Sequence, residues 1–225
     1  LKYVLPRLCA GDGVEQSGLY HRYDVLRHGI HACAAAPPDP VLRLAALLHD
    51  IGKPAALTEA GKFYGHEKLG EALAKEEMES LRLDNRTRDA VLPLVRYHMF
   101  DLEGRAKPGT IRRRAVMLGR ETFERLIEIR RADVIGSGWP VARVASADNW
   151  QRELDRMLAE GVPWTVAELD VTGRDISEWL GIPPSPMVGE ILKALHKECV
   201  MNPGRNSREA LKKSALALGK RLLLN

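Results

Sequence analysis

The sequence predicts an all-α fold with a compact core region and a C-terminal helical appendage. Three observations carry this. Apolar residues recur at helical spacing along most of the chain. No segment shows the strict alternation of a half-buried strand. The breaks carry Asp, Gly and Pro where helices start and stop. The 225 residues, 45% hydrophobic and 28% charged, suffice for one large or two small domains with a sizeable core.

Tyr23 to Ala36 reads as a helix with Val25, Leu26, Ile30 and Cys33 on its apolar side, closed by Pro37-Pro38. Asp39-Pro40 is a start signal, with Asp as N-cap and Pro at the first helical position, for a helix reaching about Asp50. Gly52 and Pro54 break it and expose its end to solvent; Thr58 to Tyr64 reads as a loop. Helices are predicted over 65–82 and 86–99, separated by Asp84-Asn85. Lys107-Pro108-Gly109-Thr110 ends a loop, and helices over 111–118 and about 121–135 split near Gly119. After the break at Gly136-Ser137-Gly138, Pro140 opens a long helix to about Glu160.

Beyond Gly161 the texture changes, so the expected domains are 1–160 and a basic tail, 161–225. Val171 to Asp175 starts a helix, Gly181 to Pro186 is a connector, and basic helices follow over about 187–200 and 206–223. From Lys193 onward there are eight Lys and Arg against two acids, within a net charge of +4. This tail and the Arg112-Arg113-Arg114 knot are either solvated faces or surfaces for phosphates. No apolar run approaches a membrane span, and no signal peptide is recognised. Three scattered cysteines read as reduced, which points to the cytoplasm.

The most informative stretch is Leu47-Leu48-His49-Asp50-Ile51-Gly52-Lys53-Pro54, where an apolar run meets an imidazole and a carboxylate. Such groups enter a core only when paired or bound to a metal. Further nitrogen and oxygen donors lie on neighbouring helices: His28, His66 at a helix start, His98 at a helix end, and Asp133 between Ile129 and Val134. His28, His49, Asp50 and Asp133 would complete one cation site, with His66 and His98 supplying a second and Asp50 bridging. Asp24, one turn before His28, is placed to accept its far N–H. Taken singly, His66 or His98 reads as a core histidine; the ordered set does not. His21, His31 and His196 are left as surface or packing residues, His21 being the first candidate for an exception. Mixed N and O donors favour Mn, Fe, Co, Ni or Zn over Mg or Ca, and the lack of thiolates argues against a structural zinc. A cation so held lowers the pKa of bound water from about 15.7 to about 7, which suits phosphate ester hydrolysis. Asp50 and Lys53 are the expected catalytic residues, Lys53 balancing charge on a substrate phosphate.

That ordered set resembles the HD superfamily of metal-dependent phosphohydrolases. With Gly13 to Gln16, Tyr20 to His28, Leu44 to Pro54 and Phe63 to Glu67, the chain resembles the C-terminal HD domain of bacterial tRNA nucleotidyltransferases, the CCA-adding enzymes and poly(A) polymerase relatives. Gly173 to Ile176, Leu180 to Pro183, Gly189 to Leu192 and Asn206 to Glu209 resemble that family's tail. The nucleotidyl-transfer head is absent, so nucleotide addition is not expected of this chain. The resemblance implies an HD-domain helical bundle and hydrolysis of phosphate mono- or diesters, 2′,3′-cyclic nucleotides among them. It carries over His28, His49, Asp50 and Asp133 as ligands, with His66 and His98 as a second set, for one or two ions; Mg is a further option. It also implies tRNA as a partner of the tail. The rival readings are a non-catalytic RNA-binding module with a vestigial metal site, and a nucleotide-sensing domain.

Overall fold

The computed structural model describes residues 2–223, and among them all regular structure is helical, with no strand. The helices are α1 (Pro6–Cys9), α2 (Val25–Ala35), α3 (Pro40–Leu48), α4 (Lys53–Ala60), α5 (His66–Ser80), α6 (Asn85–Tyr97), α7 (Pro108–Leu118), α8 (Arg120–Gly136), α9 (Ala145–Ala159), α10 (Gly173–Leu180), α11 (Pro186–Met201) and α12 (Arg208–Leu223). The chain folds as two compact units, Leu1–Arg105 with Glu121–Gln151 in the first, and Ala106–Arg120 with Arg152–Asn225 in the second. The expected division at residue 161 follows composition, which does not register that α7 packs on α11. Among the described residues, no helix is long and apolar enough to cross a membrane.

Local chemistry explains most helix starts. Asp24, Asp39 and Asp84 each accept a backbone N–H three residues on, from Arg27, Leu42 and Thr87. Each satisfies a donor the helix itself leaves open. Two expectations are corrected. Lys53–Ala60 is a helix, because Pro54 sits in its first turn, where a missing N–H costs nothing; loop begins only at Gly61. Pro140 does not open a helix: α9 begins at Ala145.

In the first unit α3 packs against α2 and α6, and α5 against α4 and α6. Its core includes Leu48, Met78, Val91, Leu94, Phe123, Leu126 and Trp150, all essentially inaccessible. Each such large side chain contributes about 1.5–3 kcal/mol by leaving water. The Trp150 Nε1–H donates to Asp101 Oδ2 at 3.0 Å, which satisfies its one polar atom.

In the second unit α10, α11 and α12 pack on one another around Ile176, Ile191, Leu195, Cys199, Leu211 and Ala215. A capping box at Thr172 and Asp175 starts α10. The arginine knot is not a uniform basic face. Arg112 is buried and bonds Glu153 at 2.6 Å and Glu160 at 2.7 Å, so it ties helices together. In the tail, Arg205 pairs with Glu198 and Arg208 with Asp175, whereas Lys193, Lys197, Lys212, Lys213 and Lys220 are exposed.

Candidate metal centre

Five helices and one turn of the first unit aim side chains at one buried region. His28 lies in the second turn of α2, His49 is the C-cap of α3, and Asp50 follows in the turn before α4. His66 is the first residue of α5, His98 the C-cap of α6, and Asp133 lies in α8. Close helix approach brings them in. A Cβ on Gly29 would lie 2.8 Å from the Leu47 carbonyl oxygen, so a side chain there would hold α2 off α3. His28, His49, Asp50, His66 and His98 are all 3% exposed or less, not solvent-facing as the Gly52-Pro54 break suggested.

The six side chains form two donor sets that share Asp50. In one, His28 Nε2 lies 3.1 Å from both His49 Nε2 and Asp133 Oδ1, and Asp50 Oδ2 stands 3.5 and 3.2 Å from the two imidazoles. In the other, His66 Nε2 faces His98 Nε2 at 3.1 Å, and Asp50 Oδ1 stands 3.1 and 3.6 Å from them. Each Asp50 oxygen therefore serves a different pair of imidazoles.

The tautomers decide what this geometry accepts. The Nδ1–H groups of His49, His66 and His98 donate to the Ala46, Phe63 and Val95 carbonyls, each at 2.7 Å. A carbonyl can only accept, so the proton sits on Nδ1 and a neutral ring presents a bare Nε2. Ala46 and Val95 lie in the last turns of α3 and α6, where carbonyls lack helical partners. His66 and His98 thus face each other lone pair to lone pair, beside a carboxylate. That trio is repulsive unless a positive charge lies between its atoms. Donors around one ion with bonds of about 2.0–2.2 Å stand about 3–3.6 Å apart, the spacing found here. The donor chemistry fits a divalent cation at each set.

Electrostatics agree. Burial opposes charge on His49, but Asp50 and Asp133 push its imidazole up to about 10 in the metal-free protein. A cation would displace that proton. Burial pushes His98 down, leaving its Nε2 free to bind. Burial would raise both carboxyls, yet His49 and Lys53 hold Asp50, and His28, His49 and Arg130 hold Asp133, well below the usual carboxylate range.

Surrounding residues complete the picture. Lys53 Nζ donates to Asp50 Oδ2 and to Gln16 Oε1, both at 2.6 Å, so its first role is to neutralise and orient Asp50. Asp24 does not accept from His28. Its two oxygens are taken by the Arg27 and Gly13 N–H groups, and His28 Nδ1 is buried without a partner. His21 stacks edge-on against His28 with centroids 4.5 Å apart, and burial, with Lys53, pushes it down to about 4. His31 stacks on Tyr23, and His196 Nε2 bonds the Pro163 carbonyl, as packing residues do.

Sequence reasoning missed Arg130 and Gln16. Arg130 Nη1 donates to Asp133 Oδ2 at 2.7 Å, while its other nitrogens reach Ser146 Oγ and the Leu102 carbonyl at 2.9 Å. The i, i+3 spacing to Asp133 was the available signal. Gln16 falls within the Gly13 to Gln16 stretch of the family resemblance, but nothing local ties it to Lys53, 37 residues away. Arg130→Ala is expected to weaken metal affinity about 10- to 100-fold, the usual effect of losing a group that orients a ligand. Titration of the metal-free protein would measure it, and wild-type affinity would contradict it.

The HD domain family profile matches residues 19–136, and the chain belongs to that family of metal-dependent phosphohydrolases. It is 31% identical over 207 residues to the A-adding tRNA nucleotidyltransferase of Deinococcus radiodurans, covering 87% of this chain and 46% of that protein. It is 28% identical over 206 residues to the CC-adding tRNA nucleotidyltransferase of Thermus thermophilus, covering 87% and 45%. A multifunctional CCA protein of Halorhodospira halophila is 36% identical over 117 residues, 49% of this chain and 28% of that protein. The chain thus spans less than half the length of these curated relatives. No solved structure matches it.

Proposed function

We propose that the buried His/Asp cluster is a phosphoesterase site acting on phosphate mono- or diesters, including 2′,3′-cyclic nucleotides. The observation that carries this is the pair of facing donor sets joined through the two oxygens of Asp50. His28, His49, Asp50 and Asp133 would hold one ion, and Asp50, His66 and His98 the other, from among Ni, Co, Mn, Fe, Zn or Mg. When bound, such ions supply Lewis acidity and acidify water.

The protein's own residues do the rest. Lys53 neutralises Asp50 and keeps a third N–H for a substrate oxygen. Arg130 fixes the direction of Asp133. Nδ1 bonds to backbone carbonyls hold three imidazoles so that Nε2 faces the reaction centre.

The test pairs elemental analysis with a screen of 2′,3′-cyclic AMP and p-nitrophenyl phosphate on protein reloaded with each metal. Turnover that disappears with a chelator and returns with metal is expected. Metal-loaded protein inert toward every ester would defeat the reading.

The tail has its own role in this proposal. The five exposed lysines, and the tRNA-directed names of the relatives, favour tRNA as a partner in the cytoplasm. Affinity for tRNA should fall steeply between 50 and 200 mM salt, with a log–log slope of about −3 to −5 if most of these lysines meet phosphates. A flat salt dependence would remove the tail from the interface.

A further inference from the structure

Exposed aromatic side chains are scarce in this protein, and their placement is uneven. Tyr3, Tyr20, Tyr64 and Trp139 are the exposed aromatics among the described residues. Three of the four adjoin the cluster in the chain. Tyr20 precedes His21, whose ring nitrogen lies within 4.8 Å of donor atoms of His28 and Asp50. Tyr64 precedes Gly65 and His66. Trp139 follows the end of α8, the helix that carries Asp133.

Trp139 is held in a prepared arrangement. The Arg22 guanidinium lies over its ring, 4.3 Å from the centroid. The Arg22 backbone N–H donates to the Ser137 carbonyl at 2.9 Å, and Nη1 reaches the Gly138 carbonyl at 3.4 Å. Gly138 has φ +83°, and a Cβ there would lie 2.5 Å from the Tyr23 ring, so the turn that presents Trp139 requires glycine. Arg22 and His21 are consecutive, their α-carbons about 3.8 Å apart. One residue faces the cluster; the next carries the guanidinium–indole stack.

We propose that Arg22 and Trp139 form a subsite that takes the planar heterocycle of a nucleoside phosphate whose phosphate lies at the His/Asp cluster. This rests on the phosphoesterase reading for what occupies the cluster. A stacked guanidinium and indole, left 40% exposed at Trp139, present π surface that recognises a flat ring without reading its edge. The cations Arg22 and Lys62, on the segments of Tyr20 and Tyr64, match an anionic ligand.

Binding separates this proposal from turnover. Metal-loaded protein is titrated calorimetrically with AMP and with ribose 5-phosphate. Wild type should prefer AMP about 10- to 100-fold, the range of base–aromatic stacking. Trp139→Ala should bring the ratio close to one, and Trp139→Phe should restore part of it. Arg22→Gln provides a second variant that should also lower the ratio. Equal affinity of wild type for the two ligands, failure to bind either, or an unaltered ratio in Trp139→Ala and Arg22→Gln would overturn the subsite. Hydrolysis of base-free esters with no preference for AMP would remove the subsite alone. A preference for AMP without turnover of any ester would remove the phosphoesterase reading alone.

Discussion

Asp50→Ala protein is expected to lose phosphoesterase activity by well over 100-fold and to retain little or none of its metal. Losing a group that merely orients a ligand costs about 10- to 100-fold. Asp50 does more: its Oδ2 faces His28 and His49, and its Oδ1 faces His66 and His98. Removing it takes one donor from each set. It also strips a buried Lys53 of its carboxylate, and breaking such a pair costs about 3–5 kcal/mol. Lost folding could therefore imitate lost chemistry. Asp50→Asn separates them, because the amide keeps the volume and can still accept from Lys53 but carries no charge for a cation. It should melt closer to wild type than Asp50→Ala while still failing to hold metal. An Asp50→Asn protein with full metal content and full turnover would rule out the bridging role.

Gly52→Ala has the second-largest expected effect. Gly52 has φ −81°, a conformation any residue adopts, so its freedom is not the point. Its Cβ would run into the His66 carbonyl oxygen and lie 2.5 Å from the Gly70 nitrogen, both backbone atoms. Backbone cannot swing aside as a side chain can. The turn carrying Asp50 would have to part from α5, drawing Asp50 Oδ1 away from His66 Nε2, 3.1 Å distant. Overpacking of this kind costs about 1–3 kcal/mol, and the His66–His98 set should hold its ion poorly. Gly70→Ala is the control: a Cβ there meets its nearest neighbour, the Gly52 nitrogen, at 3.4 Å. It should be much milder by melting temperature and metal content. If Gly52→Ala and Gly70→Ala behave alike, close backbone approach is not what seats His66.

Much of this architecture is legible in the amino-acid order. The Asp24, Asp39 and Asp84 starts are legible because an N-cap is a bond between near neighbours in sequence. Pro54 misleads because the same residue that breaks a helix interior is welcome in a first turn, and nothing local says which applies. The six side chains of the cluster are legible from type and order, since imidazoles and carboxylates in apolar helices demand partners. Asp24 looks like a partner for His28 by spacing, but capping two backbone N–H groups uses both of its oxygens. Arg112 looks like part of a surface patch until Glu153 and Glu160, more than one helix away in sequence, prove to enclose it.

The order of residues by itself determined the helical class, most helix starts and the inventory of side chains proposed here to hold metal, because those depend on periodicity, caps and residue chemistry. Tertiary structure alone decided that each oxygen of Asp50 serves a different pair of imidazoles, that Arg130 and Gln16 support the cluster, and that Gly52 must lack a side chain. Those are relations of direction and distance between segments far apart along the chain. They come into being only when the helices pack.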